Sequence, residues 1–151
     1  MQAMVHPVSF LAILLAGLIG GLLLGTAMEQ QQLTVLDGAA WTTARHSIDS
    51  VFGRVLPWLW NATLLLLIGA ACLHHGSSRG MFAAAALILL MGIVVTLIVE
   101  VPINKQIAAW TPTTVPANWA ELRARWVRFH HVRTAAGMVA FLCALLGGVP
   151  W

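Results

Sequence analysis

Apolar residues are concentrated in four long runs, and most of the charged residues lie in the segments between them. The runs cover residues 7–28, 56–73, 81–101 and 127–147. An α-helix needs about 20 apolar residues to cross the hydrocarbon layer of a membrane. Each run is therefore long enough to form a transmembrane helix. We predict an all-α integral membrane protein, a single domain in which four helices form a bundle.

The segments between the runs carry helical patterns of their own. Residues 41–56 place apolar side chains at helical spacing, which predicts an amphipathic segment in the first loop. The polar side of this segment consists of Arg45, His46, Asp49 and Arg54. In the long third loop, Asn118 followed three positions later by Glu121 is typical of a helix N-terminus. A helix beginning near Trp119 meets no breaker before the fourth run, so we expect it to continue into the last span.

The composition supports a membrane location and excludes several other classes of protein. Hydrophobic residues make up 60% of the 151 residues, charged residues make up 9%, and the mean hydropathy is +0.86. Soluble domains contain about 25% charged residues, so this chain lacks the polar surface of a soluble protein. The small net charge of +3 argues against nucleic-acid binding. Cys72 and Cys143 lie inside apolar runs without a CxxC motif, which disfavours a disulfide-forming oxidoreductase.

The fourth helix carries a stripe of aromatic and basic side chains. Residues spaced i, i+4, i+7, i+11 and i+14 share one helix face, and here they are Trp119, Arg123, Trp126, His130 and Arg133. Indole rings stack on flat molecules, guanidinium groups bind oxyanions, and an imidazole exchanges protons near neutral pH. Asn104, earlier in the chain, supplies an amide that can hold a carbonyl oxygen as charge builds on it. The stripe suits recognition of a planar, electron-rich, partly anionic molecule.

Other interpretations of the same residues stay open at this stage. Tryptophan and arginine at the entrance of a span commonly anchor a helix at the headgroup layer, and the stripe can equally dock a partner protein. A third interpretation is a metal site that includes Glu100 and His130, although no HExxH or Glu-x-x-His motif supports it. Haem ligation by His130 or His131 lacks a second histidine inside a span.

The second half of the chain resembles a known family. The residues that carry the resemblance are Thr96, Pro102, Ile103, Asn104, Trp110, Trp119, Leu122, Arg123, Arg125, Trp126, His130, Arg133 and Thr134. This set looks like the signature of the anthrone oxygenase-like family, small four-helix membrane proteins known in bacteria mostly as a domain of unknown function. The specific motifs lie within residues 96–134, and the first half is similar only in its hydropathy.

The resemblance implies a reaction and a set of residue roles. Family members that act on polyketides oxidise an anthrone to an anthraquinone with O2, without a conventional cofactor. In this chain the implied base is His130, the implied oxyanion ligands are Asn104, Arg123 and Arg133, and the implied ring-binding residues are Trp110, Trp119 and Trp126. The implied partners are a small lipophilic aromatic substrate and O2, beside membrane lipid. A non-catalytic membrane subunit that docks a partner is the alternative.

Basic residues are distributed unevenly between the loops. Arg45 and Arg54 lie in the first loop, Arg79 in the second, and Lys105, Arg123, Arg125 and Arg128 in the third. Loops rich in Lys and Arg stay in the cytoplasm. We therefore expect the first and third loops to be cytoplasmic and both termini to lie outside, in a bacterial inner membrane.

Glycines on the first span predict close helix packing. Gly17, Gly20, Gly21 and Gly25 fall on nearly one face of the helix. Small residues four apart let another helix approach closely. We expect this face to pack inside the bundle, or to serve a homo-oligomer.

Overall fold

The computed structural model describes residues 2–149, with side chains described from Val5 onward. Nearly all of this part of the chain is helical, as predicted, and the long helices pack side by side. The elements are α1 (Gln2–Gln32), a 3-10 turn (Leu33–Val35), α2 (Gly38–Leu73), α3 (Gly76–Val95), a π turn (Thr96–Glu100), α4 (Val101–Ala108) and α5 (Trp119–Gly148).

Four helical segments are long and apolar enough to cross a membrane, which confirms the predicted fold class. They are Val5–Val35, Gly38–Leu73, Gly76–Ala108 and Trp119–Gly148. Thirty helical residues extend about 45 Å at 1.5 Å per residue, whereas the hydrocarbon layer is about 30 Å thick. The helices therefore extend beyond the hydrocarbon layer.

The bundle has two cores of different composition. The first core consists mainly of aliphatic side chains and includes Leu67, Phe82, Leu89, Ala140 and Ala144. The second core is built around indole rings and consists of Trp41, Val99, Ile103, Ile107 and Trp126. Polar side chains that are buried beside the second core include Arg45, Glu100, Arg123, His130 and Arg133. The buried charged side chains and His130 are therefore concentrated at one end of the bundle.

The amphipathic segment of the first loop is the first half of α2 and runs without interruption into the second span. Asp37 caps this helix, because its side-chain Oδ1 accepts a hydrogen bond of 2.9 Å from the backbone N–H of Ala40. The polar side of this segment faces the protein interior and its apolar side faces outwards, which is the reverse of an amphipathic helix in a soluble protein. Arg45 is buried, whereas Val51 and Val55 are more than half exposed. In a membrane the apolar side faces lipid, so the polar side turns towards the protein interior.

Pro102 does not end the third helical segment. The turn before it is a π turn, in which the backbone N–H of Val101 bonds to the carbonyl of Thr96. Pro102 consequently lies at the start of α4, where a missing N–H removes no helical hydrogen bond. The π turn also places Val99 and Glu100 side by side in the interior. Such turns occur often at functional sites.

The last helix begins at Trp119, as the sequence predicts, but the predicted capping box does not form. The side chain of Asn118 makes no capping hydrogen bond. Its backbone carbonyl accepts hydrogen bonds from the N–H groups of Glu121 and Leu122 instead, at 3.1 and 3.2 Å. The tight turn before α5 therefore satisfies the first helical donors without a side-chain cap.

The glycines of α1 divide into two pairs. A Cβ atom on Gly17 would lie 2.9 Å from the ring of Phe141 on α5, and one on Gly20 would lie 3.1 Å from the sulfur of Met138. A Cβ atom on Gly21 or Gly25 would meet no described atom within 4 Å. The close packing predicted for this face is thus made by the first pair only.

This difference makes a testable prediction for helix packing. We expect Gly17→Ala to lower the free energy of unfolding by about 1–3 kcal/mol, because the added methyl overlaps the Phe141 ring. Gly21→Ala is the matched control and is expected to be neutral or slightly stabilising, since it adds helix propensity at an open position. Unfolding in mixed micelles with increasing SDS measures both. Equal effects of the two substitutions would contradict the packing described here.

Candidate functional site

A cavity of about 320 Å³ is lined by residues of α1, α2, α3, the π turn, α4 and α5, next to the second core. Its walls are mainly apolar and include Ile48, Phe52, Leu56, Ile93 and Leu97. Its indole rings are Trp60 and Trp126, and its polar side chains are Thr26, Arg45, Asp49, Asn61, Thr96, Asn104 and Arg133. Leu97 lines the cavity and is 61% exposed, so the cavity wall includes a side chain on the outer surface of the bundle. An apolar pocket with a few converging polar groups is the usual form of a small-molecule site.

A buried chain of charged and hydrogen-bonding groups lies behind this cavity. Arg133 forms a salt bridge with Glu100, and both side chains are almost completely buried. Arg133 also donates to Nδ1 of His130, at 3.2 Å from Nε and 3.0 Å from Nη2. Thr96 receives a longer contact of 3.4 Å from Arg133. The guanidinium group is therefore fixed from several sides where it borders the cavity.

Hydrogen bonding defines the tautomer of His130. Its Nε2 lies 3.0 Å from the carbonyl oxygen of Leu23. A carbonyl only accepts hydrogen bonds, so Nε2 carries the hydrogen. A guanidinium group only donates, so the Nδ1 atom that faces Arg133 carries the lone pair. His130 is fully buried, and both of its nitrogens are engaged in hydrogen bonds.

A second ion pair borders the cavity from α2. Arg45 and Asp49 are one helical turn apart, and Nη2 of Arg45 lies 2.8 Å from Oδ1 of Asp49. The side chain of Asp49 is 33% exposed, whereas that of Arg45 is nearly buried. Nη2 of Arg45 also lies 3.5 Å from Oδ1 of Asn104. Asp49 is consequently the carboxylate that lines the cavity directly.

Trp126 connects the two ion pairs. The guanidinium carbon of Arg45 lies 3.9 Å from the centre of the indole, within the range of a cation–π contact. The ring of His130 stacks on the same indole at 4.9 Å with an interplanar angle of 9°. Trp126 is fully buried and holds α2 and α5 in register at the cavity.

The sequence-predicted site residues fall into two groups. Asn104, Trp126 and Arg133 line the cavity, and His130 lies behind them in contact with Trp126 and Arg133. The other group does not line this cavity and consists of Trp110, Trp119 and Arg123. These side chains surround Trp41, whose ring centre lies 6.4 Å from Trp110 and 6.1 Å from Trp119.

The main residues that sequence reasoning missed as site residues are Arg45 and Asp49. Their i,i+4 spacing was a visible signal for an ion pair. Nothing in the pattern shows that this pair faces α5 rather than water. Trp60 lies at the start of the second span, where tryptophan commonly anchors a helix at the headgroup layer, but it is only 6% exposed and lines the cavity.

The described residues do not assemble a metal-binding cluster. Within that part of the chain no three His, Cys, Asp or Glu side chains are close enough to share an ion. Nδ1 of His130 lies 3.9 Å from Oε1 of Glu100. Arg133 contacts both of these side chains, so a cation placed between them would meet a guanidinium group.

Comparison with known proteins identifies the family to which the chain belongs. The sequence profile of the anthrone oxygenase family matches residues 41–143, which is well over half of the chain and includes both cavity ion pairs. Searches of curated proteins and of solved structures give no significant match. The match confirms the family that the sequence resembles. This four-helix membrane protein belongs to the anthrone oxygenase family.

Proposed function

We propose that the protein oxidises a planar lipophilic ketone of the anthrone class to a quinone, with O2 as the oxidant. One observation carries the proposal. The cavity brings a carboxylate, Asp49, together with two guanidinium groups, Arg45 and Arg133, between largely apolar walls. This combination suits removal of a proton from carbon followed by stabilisation of the resulting anion.

The walls of the cavity suit a flat aromatic substrate. Aliphatic side chains from several helices form much of the lining, and Trp60 and Trp126 contribute indole surface. Pockets that bind small molecules have volumes of about 300–1,000 Å³, so this cavity fits a small fused-ring compound. We propose that such a compound enters from the lipid beside Leu97, an exposed apolar side chain of the cavity wall.

Asp49 is the proposed base. An anthrone carries an acidic methylene opposite its carbonyl, and the proton passes from this carbon to the carboxylate. The negative charge is then delocalised onto the carbonyl oxygen. Arg45 and Arg133 lie on the cavity wall, and their guanidinium groups stabilise the negative charge on this oxygen. Asn104 accepts from Arg45 through its oxygen, which leaves its amide N–H groups for the substrate oxygen.

The oxygen step needs an electron-rich anion and a dry site. The anion passes an electron to O2, and the two radicals combine to form a carbon–oxygen bond. Asp49 returns its proton to the peroxide. Loss of the second methylene hydrogen with cleavage of the O–O bond gives the new carbonyl and water. Substrate and O2 thus become quinone and water, and the apolar lining excludes solvent from the intermediate.

His130 takes a positioning role in this proposal rather than the role of base that the resemblance implies. Its Nδ1 accepts from Arg133, and its Nε2 donates to Leu23. A ring held in this way orients the guanidinium group at the cavity wall. Trp110, Trp119 and Arg123 lie outside the cavity lining, so we propose no substrate contact for them.

Oxygen uptake tests the proposed function directly. Purified protein in mild detergent is mixed with a simple anthrone, and O2 consumption and quinone absorbance are followed together. We expect uptake above the uncatalysed background, with one quinone formed per O2 consumed. Absence of both signals from folded protein would refute the proposal for this substrate class.

A matched pair of variants refines this experiment. Asn104→Leu removes a donor from the cavity and is expected to lower kcat about 100-fold. Lys105→Leu changes the exposed neighbouring side chain, which does not line the cavity, and should leave kcat unchanged. A similar loss in both variants would attribute the effect to α4 as a whole rather than to the amide.

We also propose that the end of the helix bundle that contains the cavity faces the cytoplasm of a bacterial inner membrane. Arg45 and Arg123 are buried, so they do not belong in a count of loop charges. The remaining basic residues at this end are Arg54, Lys105, Arg125 and Arg128, against Arg79 at the other. The excess keeps the predicted orientation. Labelling of single cysteines introduced at Gln31 and Ser77 with a membrane-impermeant reagent tests it, since only the second should react in intact cells.

A further inference from the structure

Three arginines are buried near the second core, and one of them lacks a carboxylate partner. Arg45 pairs with Asp49, and Arg133 pairs with Glu100. Arg123 is only 9% exposed, yet none of the salt bridges within residues 5–149 includes it. A buried cation without a counter-charge is strongly unfavourable.

The surroundings of Arg123 hold its guanidinium group without using its hydrogen-bond donors. The guanidinium carbon lies 5.8 Å from the ring centre of Trp41 and 6.0 Å from that of Trp119. Aromatic faces attract a cation but supply no oxygen acceptor. Its Nη2 atom is buried and has no hydrogen-bond partner among the described residues. This donor is thus positioned and unused.

A second unsatisfied group borders the same space. Gln30 on α1 is 1% exposed, and both its amide nitrogen and its amide oxygen lack hydrogen-bond partners in the described part of the chain. Gln30 and Arg123 both line a groove of about 870 Å³ between the end of α1 and the beginning of α5. Buried amides are almost always hydrogen-bonded. We therefore expect the amide of Gln30 to bond to a group that the described residues do not supply.

The groove also has a one-sided charge. Arg128 and His131 lie on its wall and are exposed. No aspartate or glutamate is among the described residues that line it. Thr34 and Gln31 add polar side chains. Charge and hydrogen-bonding capacity therefore point to an anion with several acceptor oxygens.

We propose that this groove binds a phosphate group, which supplies the counter-charge of Arg123 and the hydrogen-bond acceptor for Gln30. A guanidinium fork matches the geometry of phosphate oxygens, and Arg128 adds positive charge at the rim. The phosphate comes either from the headgroup of an anionic lipid or from solution. This site is separate from the cavity, and it stands whether or not the proposed oxidation is correct.

Binding in neutral detergent tests the proposal. Lipid-depleted protein is titrated with short-chain phosphatidylglycerol, with diacylglycerol of the same chain length, and with inorganic phosphate. Tryptophan fluorescence reports binding, because Trp41 and Trp119 flank Arg123. We expect saturable binding of phosphatidylglycerol and none of diacylglycerol. Saturable binding of inorganic phosphate would support the site with a soluble source, and binding of the lipid alone would support it with a lipid source.

Variants locate the binding site. Arg123→Gln is expected to weaken the binding of phosphatidylglycerol about 10-fold or more, because a charge-assisted hydrogen bond is lost. Arg125→Gln removes an exposed arginine of the same helix that does not line the groove, and it should bind like the parent. Arg128→Gln changes an exposed rim residue and serves if Arg123→Gln does not fold, with a smaller expected loss.

Three outcomes would overturn the proposal. Diacylglycerol that binds as well as phosphatidylglycerol would show that the acyl chains alone are recognised. Equal weakening by Arg125→Gln and Arg128→Gln would indicate diffuse attraction to a basic surface. Failure of both phosphatidylglycerol and inorganic phosphate to bind would leave Arg123 without the proposed partner.

Discussion

Replacement of Asp49 by asparagine is expected to lower kcat for anthrone oxidation by about 100- to 10,000-fold, the usual contribution of a positioned base. The substitution keeps the shape of the side chain and removes its capacity to accept a proton. KM should change little, because the apolar walls of the cavity remain. Quinone formation under saturating substrate measures the effect, and thermal unfolding confirms that the variant is folded.

The same experiment separates Asp49 from His130 as the base. His130→Gln keeps a donor for the carbonyl of Leu23 and an acceptor for Arg133, the two contacts that the imidazole makes. We expect this variant to retain most of the activity. Parent-like activity of Asp49→Asn with a deep loss in His130→Gln would reverse the assignment and make the imidazole the base.

Breaking the pair between Glu100 and Arg133 is expected to lower the free energy of unfolding by about 3–5 kcal/mol, because removal of one partner leaves the other charge buried and unpaired. Glu100 is fully buried, and only 8% of Arg133 is exposed. Glu100→Leu tests this expectation. The double variant Glu100→Leu/Arg133→Met should recover most of the loss, since an apolar pair of similar volume replaces both charges.

The ion pair between Arg45 and Asp49 on α2 is a control for the effect predicted for the pair between Glu100 and Arg133. Asp49 is one-third exposed, so water and ions screen its attraction to Arg45, and Arg45 keeps its contacts with Trp126 and Asn104 after Asp49 is removed. Asp49→Leu should therefore be much less destabilising than Glu100→Leu. A loss of similar size in both variants, measured by SDS unfolding, would contradict the difference in burial. Failure of the double variant to recover would show that Glu100 and Arg133 contribute separately.

Helical periodicity predicts the parts of the site that lie on one helix. Arg123, Trp126, His130 and Arg133 repeat at turn spacing on α5, and all four are buried in the folded protein. Such side chains share a face because 3.6 residues complete a turn. Hydropathy likewise identifies the helices that cross the membrane, since length and apolar character alone decide this property.

Contacts between helices are the part that periodicity does not encode. Arg45 meets Trp126 and Asn104 only because α2 turns its polar side inwards, and an isolated amphipathic pattern does not reveal whether lipid or protein faces each side. The division of the α5 stripe into two groups also depends on packing. Arg133 borders the cavity and Arg123 borders the groove, although both lie on the same face of one helix.

The π turn is the least predictable local feature. Thr96–Glu100 reads as an ordinary continuation of an apolar helix, and Pro102 suggests an end to it. The wider turn rotates the following residues, which brings Glu100, Ile103 and Ile107 into the interior. The salt bridge between Arg133 and Glu100 connects this turn to a segment that is distant in the sequence.

The exposed position of Leu97 on the cavity wall has a consequence for how a rate is measured. Fused-ring ketones and O2 both dissolve better in hydrocarbon than in water, so the bilayer acts as an extraction solvent that concentrates the two reactants. For a cavity filled from this side, the relevant concentration is the mole fraction of substrate in the lipid. Adding substrate-free vesicles to a fixed amount of protein and substrate then slows turnover by surface dilution, and an apparent KM has meaning only with the lipid content stated.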